Sequence, residues 1–288
     1  MAEKNGASFQ ANAGIFVVIP INGVIIHNPA GSERVLNPDQ DPVETILDQL
    51  EIADKIKAKA VILDISSPGG EVGACEEIRK ALMRLRHKGV AVIAYARSTM
   101  ASGAYYISTD ANSIVAAPSA MVGNIGVIMQ LLNFEDLAGK VGVRVETIKS
   151  APMKDVGSPF RRMTPQERAM FQQIIDEAYK RFRQAVASGR EINLSQMEIV
   201  ASGEAFTATR AKYLRLVDLI GDLQTAVDAA MVTTGITAPE VITYKKNVSI
   251  WDLIIGGAQE KLSLPLATLD KSLAPHLYGP RLLYQWMP

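Results

Sequence analysis

The chain has 288 residues, 48% of them apolar, enough to bury a large core. Lys plus Arg and Asp plus Glu both number 30, so the formal charge is zero and neither a nucleic-acid surface nor a polyanionic partner is implied. The single cysteine, Cys75, excludes an internal disulfide framework and falls in a predicted helix as a small packed residue.

The first ten residues are polar and lack the apolar stretch of a secretory signal, so residues 1–13 are expected to be a polar N-terminal segment and the simplest location is the cytoplasm, with peripheral membrane contact as the other option. Ile15–Ile26 is broken by Pro20, Asn22 and Gly23, short of the run of about twenty apolar residues that spans a bilayer, and reads as strand, turn, strand. Residues 27–41 carry loop composition, and Asp41-Pro42 opens a helix with Val43, Ile46, Leu47, Leu50 and Ile56 on one stripe. Lys59–Ile65 reads as a buried strand. Residues 71–88 read as a helix with Ala74, Ile78, Ala81, Leu82 and Leu85 inward and Gly89 as its stop. Val90–Ala96 is the next strand, followed by a short helix starting near Ser102.

Further along, Ser113–Ala116 and Asn124–Met129 are expected strands, Phe134–Val141 a short helix and Val143–Ile148 another strand. Thr164-Pro165-Gln166-Glu167 forms a capping box with proline at the first helical position, opening the longest helix, which ends near Gly189. Helical segments at 195–201, 208–214 and 222–234 precede a strand at Val241–Tyr244. The alternation of strand and helix predicts parallel β-structure with crossover helices, an α/β class. Composition changes near residue 247, and the tail over 248–288, with Trp251, Tyr278, Tyr284 and Trp286 among prolines and glycines, reads as an appendage that packs on a partner or on the body of the protein.

Three segments carry chemistry. Ser102 stands in Ser98–Tyr106, after an apolar strand and among Ala101, Gly103 and Ala104, whose small side chains admit a substrate backbone. A serine needs a base, and a lysine stripped of water can be one. Lys149 and Lys154, in the Pro- and Gly-containing segment that follows, are both candidates. Ser66-Ser67-Pro68-Gly69-Gly70 follows another strand, and its bare amides, with that of Gly103, could hold an oxyanion. Together these suggest acyl transfer, most simply peptide hydrolysis. The bland readings are a helix cap at Ser102, a strand-to-helix turn at Gly69-Gly70 and solvated lysines. His27, His87 and His276 are widely separated and share no metal-ligand spacing with Cys75, so neither a Ser-His-Asp triad nor a zinc site is supported; no phosphate-binding glycine motif is present.

With Leu63–Glu71, Met100–Thr109, Ala117–Val127 and Lys154–Arg161 in order, the chain resembles the signal-peptide peptidase A family of Ser-Lys serine peptidases over residues 14–235. The resemblance implies an α/β, crotonase/Clp-protease-like spiral of β-β-α units with parallel sheets and packed helices, in a peptidase domain over 14–247. It makes Ser102 the nucleophile and Lys154 the base, with the Gly70 and Gly103 amides as oxyanion donors. It implies no cofactor, peptide or unfolded-protein substrates including signal-peptide segments, and a homo-oligomeric ring whose dyad is shared between subunits. In the family a serine stands where this chain has Asn124, and it orients the lysine; an amide oxygen at Asn124 can still accept from it. The family's N-terminal membrane anchor is not expected here. Two other readings use the same fold: a scaffold of weak or no activity, and a crotonase-like acyl-CoA enzyme. The aromatic tail would lie in a substrate groove or rest on a membrane surface.

Overall fold

The structure, a computed structural model, describes residues 13–27, 41–244 and 283–285. The described residues divide into two compact units, the first holding 13–27, 41–126, Phe182–Tyr244 and 284–285, the second Val127–Arg181 and Leu283.

The core of the first unit is a parallel trio, β1 (Ala13–Asn22), β2 (Ala60–Ser67) and β4 (Ala91–Ala101), with Phe16 opposite Ala60 and Ala60 opposite Ala91. Residues of both alternating sets are buried along β2, which is why its sequence reads as an unbroken apolar run. On the far side of β1 lies β9 (Ala238–Thr243), parallel to it. On the far side of β4 two short strands share one edge: β5 (Ser113–Ala116) pairs with Ile93–Ala96, and β6 (Met121–Gly123) pairs with Thr99–Ala101. The sheet is completed by β7 (Ala205–Thr207), antiparallel to β6, and by β8 (Leu219–Ile220), parallel to β5.

The helices follow their sequence signals. The carboxylate of Asp41 caps α1 (Pro42–Lys55) by accepting from the amides of Val43 and Glu44. α2 (Val72–His87) buries Ala74, Cys75, Ile78, Ala81, Leu82 and Leu85, and Gly89 after it has φ +84°. Next come α3 (Gly103–Ser108) and, in the second unit, α4 (Glu135–Lys140). α5 (Pro165–Gly189) opens on the expected capping box: Thr164 Oγ1 accepts from the Glu167 amide at 3.2 Å, and the Glu167 carboxylate accepts from the Thr164 amide at 2.8 Å. α6 (Leu194–Val200), α7 (Ala208–Tyr213) and α8 (Leu223–Thr234) follow, α8 packing on β2, β4 and β5.

Three expected elements differ. Asn124–Met129 is not a strand: Asn124 has φ +50°, outside the extended range, and the pairing on β4 is made three residues earlier by β6. Val143–Ile148 forms no strand among the described residues; Val143, Val145 and Ile148 are exposed, and a lone extended segment gains no ladder hydrogen bonds. The second strand expected before Ile26 reduces to one bridge between Ile25 and Gly70. The loop over 28–40, the polar segment over 1–12, His276 and all of the tail except 283–285 lie outside the described residues.

Candidate active site

Two strand ends of the first unit converge. β2 runs out at Ser67, whose Oγ accepts from the Gly69 amide at 3.1 Å. Gly69 has φ +98°, open to a residue without Cβ, and begins the short strand β3 (Gly69–Glu71) that leads into α2. β4 runs out at Ala101, and Ser102 turns the chain into α3.

Ser102 is held at φ +53° and ψ −116°, a strained conformation for a residue with a Cβ. The surroundings over-determine it. Its amide donates to the Gly123 carbonyl at 2.7 Å, and its own carbonyl accepts from the Tyr106 amide at 2.8 Å. Its Oγ reaches the Gly126 carbonyl at 3.5 Å, the outer limit of a hydrogen bond, so the hydroxyl is only loosely tethered.

The two predicted oxyanion donors are neighbours. The point at which a Cβ on Gly103 would stand is 3.0 Å from the Gly70 amide nitrogen and 2.5 Å from Cys75 Sγ. A Cβ on Gly70 would collide with the Ile25 carbonyl. Both positions therefore need glycine for space, and the bare amides are a consequence. Cys75 is the packed residue expected: it is fully buried and desolvation pushes its thiol pKa up, away from thiolate chemistry.

Asn124 tolerates its positive φ as asparagine does. Its Nδ2 donates to the Gly203 carbonyl at 2.7 Å and its amide to the Glu204 carbonyl at 2.7 Å. The first unit thus brings Ser102, Gly103, Gly70 and Asn124 together. Lys154 belongs to the second unit, where its side chain is exposed.

The second unit separates the two candidate lysines. Lys149 Nζ is paired with Asp155 at 2.6 Å and donates to the Pro152 carbonyl at 3.0 Å, so it is tied into local contacts. Lys154 is in no ion pair among the described residues. Arg161 bridges Asp155 and Glu167, and with Lys149 it holds the Asp155 carboxyl well below the usual carboxylate range. The Arg161 guanidinium and the Thr164 amide hold Glu167 at about 2. This chain of charges was not anticipated, although Lys149, Asp155, Arg161 and Glu167 recur every six residues with alternating sign. Among the described residues no group of three or more His, Cys, Asp or Glu side chains converges for a metal ion, and no helix is long and apolar enough to cross a membrane.

Residues 84–237 match the model of peptidase family S49. A protease of Methanocaldococcus jannaschii is 37% identical over 199 residues, which is 69% of this chain and 63% of that relative. A signal peptide peptidase SppA of Enterococcus faecium is 32% identical over 234 residues, which is 81% of this chain and 67% of that one. The chain therefore spans about two thirds of the length of both relatives. Among solved structures, a mutant 1510-N membrane-bound stomatin-specific protease in complex with a substrate peptide matches with a TM-score of 0.52 and 17% identity over 86% of this chain and 99% of that chain. That likeness establishes the fold, the α/β, Clp-protease-like class that the four motifs implied.

Proposed function

The chain belongs to peptidase family S49, of the SppA type, and from that premise we propose that it is a serine peptidase working through a Ser102–Lys154 dyad. The observation that carries the reading is the backbone of Ser102: a buried serine held at φ +53° between a strand and a helix, beside two glycine amides. Strain of this kind persists where the surroundings enforce it, and it clusters at functional sites.

In the proposed reaction neutral Lys154 Nζ takes the proton from Ser102 Oγ, and Oγ bonds to the carbonyl carbon of the scissile peptide. The carbonyl π pair moves to oxygen, where the amides of Gly70 and Gly103 hold the oxyanion. Collapse breaks the C–N bond, and the Lys154 ammonium protonates the leaving amine. Water, deprotonated by Lys154, then bonds to the acyl carbon, the carbon–Oγ bond breaks, and the Lys154 ammonium returns the proton to Ser102 Oγ. Asn124 uses Nδ2 on Gly203, which leaves its Oδ1 to orient the lysine.

Lys154 is exposed in a single copy. A lysine serves as a base once it loses its water. A second copy packed over it would supply that desolvation, which supports a homo-oligomer with a shared dyad. Leu137, Val141, Val143, Val145 and Ile148 of the second unit are exposed apolar side chains suited to the same contact. The proposed substrates are small peptides and unfolded segments, signal-peptide remnants included, met in the cytoplasm or at the membrane surface. The acyl-CoA alternative leaves the geometry of Ser102 without a use.

The test is hydrolysis of a fluorescent apolar peptide and of casein by the assembled protein. Ser102→Ala and Lys154→Ala should each lose at least about a thousandfold in kcat, as members of a catalytic unit do. Retained cleavage in either variant, with assembly intact, removes the dyad.

A further inference from the structure

Lys154 stands in the connection between α4, which ends at Lys140, and α5, which begins at Pro165. Among the described residues that connection forms no helix or strand, so no backbone ladder fixes it. A connection of this length without elements of its own is uncommon and usually functional. A general base has to be held, because a flexible side chain on a mobile backbone forfeits the proximity that proton transfer depends on. Here the holding is done by side chains, and Asp155, the next residue, is their hub.

Both carboxylate oxygens of Asp155 are taken. Oδ1 accepts from Lys149 Nζ at 2.6 Å and from Arg161 Nη2 at 2.9 Å, and Oδ2 accepts from Arg161 Nε at 2.8 Å. Arg161 Nη2 also donates to the Asp155 backbone carbonyl at 3.0 Å, so one guanidinium grips both the side chain and the main chain of the residue after Lys154. On the other side, Lys149 Nζ donates to the Pro152 carbonyl at 3.0 Å, just before Lys154. Arg161 is itself anchored: Nη1 donates to Glu167 Oε2 at 2.9 Å and Nη2 to Oε1, and Glu167 sits in the first turn of α5. Between these tethers the Lys154 amide closes a turn on the Ala151 carbonyl at 3.1 Å, and its side chain is exposed.

We propose that Lys149, Asp155 and Arg161 are positioning residues that hold the backbone of Lys154 for catalysis, and that Lys149, the other candidate base, serves only as a tether. The proposal rests on the Ser102–Lys154 reading for what the loop presents. A tether needs a donor that reaches both Asp155 and Pro152, whereas a base needs a proton it can give up. Arginine meets the first need and never the second, so Lys149→Arg separates the two roles. Arg161 spends its planar fork on two carboxylates at once, which a lysine cannot reproduce.

The test is steady-state cleavage of a fluorescent apolar peptide by full-length variants, at a temperature where each is folded by circular dichroism and assembled as the parent is. Lys149→Arg should keep at least about half of the parent kcat, and Lys149→Met should lose at least about tenfold. Asp155→Asn and Arg161→Lys should each lose at least about tenfold in kcat with KM within about twofold, since the base is misplaced and substrate binding is untouched. The two losses should not add in the double variant, because both remove the same contact. A structural role alone would lower the unfolding midpoint and leave kcat per folded protein unchanged. That result overturns the proposal, as does Lys149→Arg falling as far as Lys149→Met. Cleavage that is lost in Lys154→Ala but kept in all the tether variants removes this proposal and leaves the dyad standing. Cleavage retained in Lys154→Ala removes the dyad and this proposal together.

Discussion

Ser102 occupies a conformation that an L-residue enters at a cost of about 1–3 kcal/mol, and glycine enters with far less. The strain is built by the Gly123 and Tyr106 backbone partners, not by the hydroxyl, so it survives removal of Oγ. Ser102→Ala and Ser102→Gly should therefore differ in stability although both lose the proposed nucleophile. We expect the glycine variant to be about 1 kcal/mol more stable than the alanine variant in urea unfolding. Equal midpoints would mean that the surroundings do not enforce the positive φ. The residue types of this site were visible in the sequence as a serine followed by Gly103 and a Gly69-Gly70 pair, each after an apolar strand, but each also had a bland reading that only the family resemblance set aside. The strain was not visible, since the same Ser-Gly pair is also an ordinary helix start.

At the scale of elements, α5 shows a local signal read correctly and a wider one missed. The capping box forms as written in Thr164-Pro165-Gln166-Glu167. The same Glu167 carboxylate also ends the charge chain through Arg161 to Asp155, which holds the segment before the helix. Glu167 is held at about 2 against an ordinary 4.5. The folded value lies below the unfolded one, so its contribution to stability is complete above 4.5 and is lost as pH falls from there through about 2. Asp155 is shifted in the same direction by the same arginine. Glu167→Gln should therefore unfold at lower urea than the parent near about pH 7, and the gap should close between about pH 4.5 and pH 2. A gap independent of pH would show that Glu167 acts by packing alone. The two failed strands have different causes: Asn124 leaves the extended range at φ +50° and its segment keeps only a single bridge, Ile128 to Leu283, while Val143–Ile148 pairs with no strand among the described residues; sequence periodicity carries no information on either.

For the whole molecule, the parallel strands β1, β2 and β4 carry much of the fully buried apolar core, and such segments are expected to open last. Cys75, the sole cysteine, is fully buried on α2 with its Sγ against Gly103, and burial pushes its thiol pKa up. A maleimide should label it only through global opening, with a rate that rises with denaturant in step with the unfolding equilibrium. Fast labelling in native buffer would place Cys75 in a locally opening segment and remove α2 from the stable core.

The sequence by itself determined the α/β class and most element positions, because each depends on residues close along the chain, a period or a cap; it offered Ser102 and its glycine neighbours as candidates, which the family resemblance singled out. It left the choice between Lys149 and Lys154 mainly to a family resemblance; the structure adds that Lys149 is paired with Asp155. It also flagged an aromatic tail without saying where Tyr284 goes. Only the tertiary structure decided that a residue about 180 positions beyond Gly103 stands beside its amide. Contacts of that separation are selected by shape and by unpaired backbone edges, which exist only once the strands have come together.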